Sequence, residues 1–162
     1  MADLRFKPVI DYIRSYVRMV DMWTDKELDL FLIYMDFLDM MIILIDEEEE
    51  DVILGVGIGR PISKDTYRDI KQAAESGDSQ YNIYSIDSES DIFCIDLLIS
   101  QGSDYRQVML RELYDRFSPN QFKTIVYTRE IDGKNYFREF SADRLFRDYN
   151  KKLEINIDET QD

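Results

Sequence analysis

Apolar residues recur at helical spacing near the start of the chain. Phe6, Val9, Ile10, Ile13, Val17 and Val20 share one face of a helix over 8–20, and Lys7, Asp11, Arg14 and Arg18 take the other. Pro8 suits the first turn. Thr24 followed by Glu27 is a capping box, which predicts a second helix running to about Asp39. Leu28, Phe31, Leu32, Met35 and Leu38 line its inner side. Asp25, Asp29, Asp36 and Asp39 line another and read as a solvated face. Met40 to Ile45 is an unbroken apolar run that suits a strand. The six acids from Asp46 to Asp51 cannot pack together and predict an exposed turn. From Val52 to Ile62 the pattern alternates, with Ile53, Gly55, Gly57 and Gly59 on one face. Glycines at that period are expected to admit a close-packed helix.

Ser63 predicts a cap for a helix over 64–75 that stops near Gly77, with Tyr67, Ile70 and Ala74 inward. Strands are expected over 81–87 and 92–100, the second the more buried, with a polar turn at 88–91. A helix follows over 105–117. Strands over 122–129 and 135–140 flank Asp132-Gly133, a hairpin signal, and a last helix spans 142–149. This order predicts an α+β fold with a mixed, largely antiparallel sheet flanked by helices. Residues 1–153 are expected to form a single domain, and 154–162 a flexible acidic tail.

Charge narrows the function. The 162 residues carry a net −14, distributed unevenly. Residues 1–20 carry +2, 21–119 carry −15, 120–153 carry +3 and 154–162 carry −4. Such a field repels nucleic acid and anionic membranes and favours basic protein partners. Cys94 is the single cysteine, so an internal disulfide is excluded and a reducing, cytoplasmic setting is expected. Met1 to Pro8 lacks the apolar stretch of a secretory signal. The apolar run from Leu28 to Ile45 contains Asp29, Asp36 and Asp39, which argues against a membrane span.

The chemistry is sparse. Without histidine, Ser-His and Cys-His pairs are excluded. Asp96 lies within the 92–100 strand on the same side as Cys94. A carboxylate buried there could serve as a general base, or it could simply bond neighbouring backbone. Cys94 reads as a small buried hydrophobe. Gly55-x-Gly-x-Gly59 followed by Arg60 suggests a phosphate loop, but its spacing departs from G-x-G-x-x-G. The acids at 46–51 lack the spacing of a calcium loop, so no metal site is expected.

The two leading helices, the acidic hairpin ending in Leu54-Gly55-Val56-Gly57, and the strand-turn-helix at 92–117 resemble the GNAT acyltransferase fold over roughly 8–140. That resemblance implies acetyl-CoA held at Leu98, Ile99, Gln101, Gly102 and Ser103, with Asp96 as base. In the loop Gln101-Gly102-Ser103-Asp104-Tyr105-Arg106, Gln101 fits the family. Asp104 stands where the family has glycine, and Arg106 where it has a small residue. A carboxylate aimed at a pyrophosphate is repulsive.

The expectation is therefore a non-catalytic interaction or assembly protein on a GNAT-like scaffold, with no cofactor. The composition suits a viral or phage structural or accessory protein, in host cytoplasm or virion. Candidate contact residues are Asp29, Asp36 and Asp39 on the acidic side and Arg138, Arg144, Arg147 and Lys151 on the basic side. The partner is expected to be a basic protein surface or another copy of the chain, with direct nucleic-acid and membrane binding disfavoured. The alternatives are an acyl-CoA-dependent N-acyltransferase and an acidic nucleic-acid mimic that occupies a nucleic-acid-binding protein.

Overall fold

Local signals place most of the elements. The Thr24 hydroxyl accepts from Glu27 N while the Glu27 carboxylate accepts from Thr24 N, and this reciprocal box starts helix α2, Asp25–Phe37. Ser63 accepts from Thr66 N to start α3, Lys64–Ser76, and Gly77 ends it at φ +76, a left-handed conformation that glycine adopts freely. The computed structural model describes residues 3–17, 23–77, 85–116, 122–132 and 134–144. Its other elements are α1 (Lys7–Tyr16), β1 (Met41–Ile45), β2 (Ile53–Pro61), β3 (Ile92–Ser100), α4 (Ser103–Arg116), β4 (Thr124–Ile131) and β5 (Lys134–Ser141). The fold is α+β, with a mixed, mostly antiparallel sheet in strand order β1-β2-β3-β4-β5.

The chain divides into two compact units. Unit 1 comprises Met1–Arg60 and Ile95–Arg116. In it β1 and β2 form an antiparallel hairpin, with Met41 opposite Ile58 and a register shift between Leu44 and Ile45 beside the acidic turn. Gln101 N donates to Leu54 O at 3.1 Å, where the end of β3 meets the start of β2, so this pair is antiparallel too. Helix α1 packs on α2, and α2 and α4 each pack on β1. The core is drawn from Val9, Ile10 and Ile13, from Leu28, Phe31, Leu32 and Met35, and from Val56, Ile58, Met109 and Leu113.

The glycine face of β2 receives α4, as the alternation predicts. A Cβ added at Gly55 would stand 2.8 Å from Met109 Cε and 3.1 Å from Ile99 O. At Gly57 it would stand 3.4 Å from Met109 Cβ and 3.5 Å from Leu113 Cδ1. The absence of side chains on β2 therefore lets α4 approach this closely.

Unit 2 comprises Pro61–Cys94 and Phe117–Asp162. Asp91 O accepts from both Lys123 N and Thr124 N, so β3 and β4 start side by side and run parallel. The β4–β5 hairpin is antiparallel, pairing Thr124 with Ser141 through to Ile131 with Lys134. Asp132 in its turn sits at φ +52. Ile62, Ile70, Ile92, Cys94 and Val126 form a buried cluster, with Tyr67 and Phe137 packed against it edge to face at 5.6 Å.

Boundaries shift modestly from the sequence reading. Helix α1 ends at Tyr16 rather than at 20, and residues 18–22 lie outside the described residues. Helix α4 begins two residues earlier than expected, at Ser103. The hairpin strands run right up to the turn, because their pairing continues to Ile131 and Lys134. Of the strand expected over 81–87, residues 81–84 lie outside the described residues and 85–87 are not in a strand. The helix expected over 142–149 is helical at 142–144, and the rest, with the 154–162 tail, lies outside them.

Candidate functional site

Asp96 is held by a buried arginine. Arg60 is 0 % exposed at its side chain and Asp96 only 7 %. Arg60 Nε donates to Asp96 Oδ2 at 2.9 Å and Nη2 donates to Oδ1 at 3.4 Å, a fork-to-fork pairing. Both side chains have further partners. The carboxylate is thereby committed to a guanidinium with a fully buried side chain. This arrangement suits a structural clamp between β2 and β3 better than a general base. It also removes Arg60 from service as a phosphate ligand. Cys94 is buried, as expected.

The turn after β3 is occupied by its own groups. Gln101 N donates to Leu54 O, and Gln101 Nε2 donates to Ile53 O at 3.4 Å. Ser100 Oγ donates to Gly102 O. The Tyr105 ring lies 3.8 Å from where a Cβ of Gly102 would be. Ser103 and Asp104 are the first residues of α4, so the positive end of that helix already has a carboxylate beside it. Leu98 Cδ1 faces Gly57, and Ile99 O faces Gly55. Of the five residues expected to hold a cofactor, Leu98 and Ile99 lie in β3, Gln101 and Gly102 in the turn, and Ser103 at the start of α4.

The acidic residues separate into three different roles. Asp29 is buried and accepts from Phe6 N at 2.7 Å and Arg5 N at 3.2 Å. Phe6 precedes the first residue of α1, so this carboxylate serves the positive end of that helix. The expectation that Asp29 lies on a solvated face is corrected by that contact. Asp36 is exposed and pairs with Arg5 at 3.3 Å. Asp39 is exposed in a left-handed conformation at φ +59 just beyond α2. Arg116 Nη1 donates to Asp39 Oδ1 at 2.9 Å and to the carbonyls of Asp39 and Met41. Of the basic group, Arg138 lies over the Tyr136 ring at 5.9 Å and Arg144 is exposed. Arg147 and Lys151 lie outside the described residues.

The most distinctive surface is the outer side of α2. Leu30, Ile33, Tyr34 and Phe37 stand at i, i+3, i+4 and i+7, which aligns them on one face. Leu30 is 55 % exposed and Phe37 is 85 % exposed. With Arg5 and Asp36 these residues line a shallow cavity of about 330 Å³. The opposite face, Leu28, Phe31, Leu32 and Met35, is buried. Beside its buried stripe α2 thus carries a second apolar stripe that is only partly covered within the described residues. The signal for it was present in the sequence: Leu30, Ile33, Tyr34 and Phe37 follow the same period as the inner stripe.

Among the described residues no cluster of His, Cys, Asp and Glu is placed to hold a metal ion. No described helix is long and apolar enough to cross a membrane. Compared with known proteins, the sequence matches no family model and no curated protein.

Proposed function

We propose that this chain is a non-catalytic interaction protein that docks a basic protein partner through the outer face of α2. The stripe of Leu30, Ile33, Tyr34 and Phe37, exposed at Leu30 and Phe37 and half-buried between them, carries this reading. Exposed contiguous apolar surface marks interaction sites, and anchors at i, i+3, i+4 and i+7 are how one helix is read by another protein. The surroundings set the sign of the partner. Unit 1 holds nine basic and eighteen acidic residues, a net charge of −9. A partner with apolar anchors and a basic rim would be drawn to it.

The acyltransferase alternative receives less support. Its base would have to abandon Arg60, and its pyrophosphate would have to approach Asp104 in the first turn of α4. Calorimetric titration with acetyl-CoA should give no binding heat up to about 1 mM, a concentration that half-fills even a site with a Kd of about 1 mM. Micromolar binding would overturn the non-catalytic reading. Affinity capture from the source cells, comparing wild type with Leu30→Glu/Phe37→Glu, supplies the positive test. A basic protein should be retained by wild type and by the exposed α3 control Arg68→Glu, and lost from the α2 variant. Equal retention by all three would remove α2 from the account.

A further inference from the structure

We propose that the outward face of the β4–β5 hairpin binds the acidic 46–51 turn of a second copy of this chain, so that copies associate head to tail. The pairing of the hairpin sorts its residues by face. Ile125 lies opposite Phe140, Tyr127 opposite Arg138, Arg129 opposite Tyr136, and Ile131 opposite Lys134. Directly paired residues share a face, and alternate residues along each strand join them. One face therefore carries Arg129, Lys134 and Arg138 among Tyr127, Tyr136, Phe140 and Ile131, with no acid. The hairpin's Glu139 sits on the other face, where its carboxylate accepts from the Tyr67 hydroxyl of α3 at 3.1 Å. Toward the turn the cationic face is open, with Arg129, Lys134 and Arg138 exposed and Tyr136 and Phe140 about two-fifths exposed.

None of these three cations is ion-paired among the described residues, and none of the carboxylates at 46–51 is either. The acidic turn is a formed structure. Asp46 Oδ1 accepts from Glu48 N and Glu49 N, Asp46 N donates to Val52 O, and Val52 N donates to Glu49 O. The side chains of Glu47 to Asp51 are held out to solvent on this base. The chain thus presents an ordered anionic projection and a cationic face, neither of them ion-paired among the described residues.

An acidic loop fits this face better than a nucleic-acid strand does. Tyr127 is stacked on Phe140, with centroids 5.4 Å apart and planes 23° apart, and Arg138 lies over Tyr136. Each of these contacts takes one face of a ring and so leaves less of it for a stacked base. Because the two patches differ, the contact is heterologous and continues into open chains or rings. It does not involve α2, so its outcome is separate from that of the docking face.

Sedimentation velocity of the full chain tests it. At about 20 mM salt the weight-average sedimentation coefficient should rise with concentration, and at about 500 mM salt, where the Debye length is a few ångströms, it should not. Arg129→Glu/Arg138→Glu should stay monomeric, and so should Glu48→Lys/Glu49→Lys. An equal mixture of the two variants should form dimers, because the first keeps the acidic turn and the second keeps the cationic hairpin face. That rescue also shows both variants folded. A wild type that stays monomeric at low salt overturns the proposal, as does a mixture that fails to associate while both variants keep the wild-type circular dichroism. Wild-type protein that stays monomeric yet binds a labelled oligodeoxythymidylate through Arg129 and Arg138 would assign the face to nucleic acid instead.

Discussion

Removing Asp96 should cost far more than removing a surface carboxylate. Its substitution to alanine leaves Arg60, with a fully buried side chain, without the fork that meets it at 2.9 and 3.4 Å. Breaking one side of such a pair costs about 3–5 kcal/mol, since the remaining charge cannot reach water. Arg60 has other partners as well, which places the expected loss toward the lower end, at about 3 kcal/mol. For a chain of this size with a urea slope of about 2 kcal/mol per M, that moves the unfolding midpoint down by about 1.5 M. Asp96→Asn keeps the shape and one acceptor, and should fall between wild type and alanine. Replacing both partners, as in Arg60→Met/Asp96→Leu, should recover most of the loss, because neither buried charge then remains. Urea unfolding followed by circular dichroism reads all four proteins. A cost below about 1 kcal/mol for Asp96→Ala, or a double variant as unstable as the single, would refute the clamp and return Asp96 to consideration as a chemical group.

Other outcomes follow from single contacts. Asp29→Ala removes the acceptor of Phe6 N and Arg5 N and should cost about 1–3 kcal/mol, with hydrogen exchange quickening at the start of α1; unchanged exchange there would refute the capping role. Gly55→Val should destabilise by about 1–3 kcal/mol, since Met109 Cε and Ile99 O leave no room, and a neutral result in thermal unfolding would contradict the packing of α4. Burial, with the Tyr16 hydrogen bond second, pushes the Tyr12 hydroxyl up to about 12. The folded state therefore keeps a proton that the unfolded chain releases near 10, so this contribution is complete below pH 10 and is lost as pH rises toward 12. Tyr12→Phe should show a shallower decline of stability over that window, and an identical decline would refute the assignment.

The elements most legible in the sequence are those with local causes. The Thr24–Glu27 box, Ser63, Gly77 and the glycine period of β2 each carry a short-range signature, and each appears in the structure. The limits of β3, Ile92–Ser100, could be read from its apolar run alone. What could not be read depends on partners distant in sequence. Asp29 has the same helical period as Asp25 and Asp36, and only the arrival of residues 5 and 6 makes it buried. Arg60 and Asp96 are 36 residues apart, and nothing along either strand reveals their register. The α2 stripe is a different case. Leu30, Ile33, Tyr34 and Phe37 share the spacing of the inner stripe, and spacing alone does not say which of two apolar stripes meets the core. The cationic face of the hairpin likewise needs the pairing of Tyr127 with Arg138 before scattered residues become a surface.

The most direct test of the docking claim is site-specific photo-crosslinking in the source cells. Phe37, the most exposed apolar residue of the stripe, is replaced by benzoylphenylalanine, and the exposed Arg68 of α3 serves as the control position. The account predicts a discrete adduct with a basic protein from position 37, absent from position 68 and lost when Leu30→Glu is added. No adduct from position 37, or the same adducts from both positions, would contradict it.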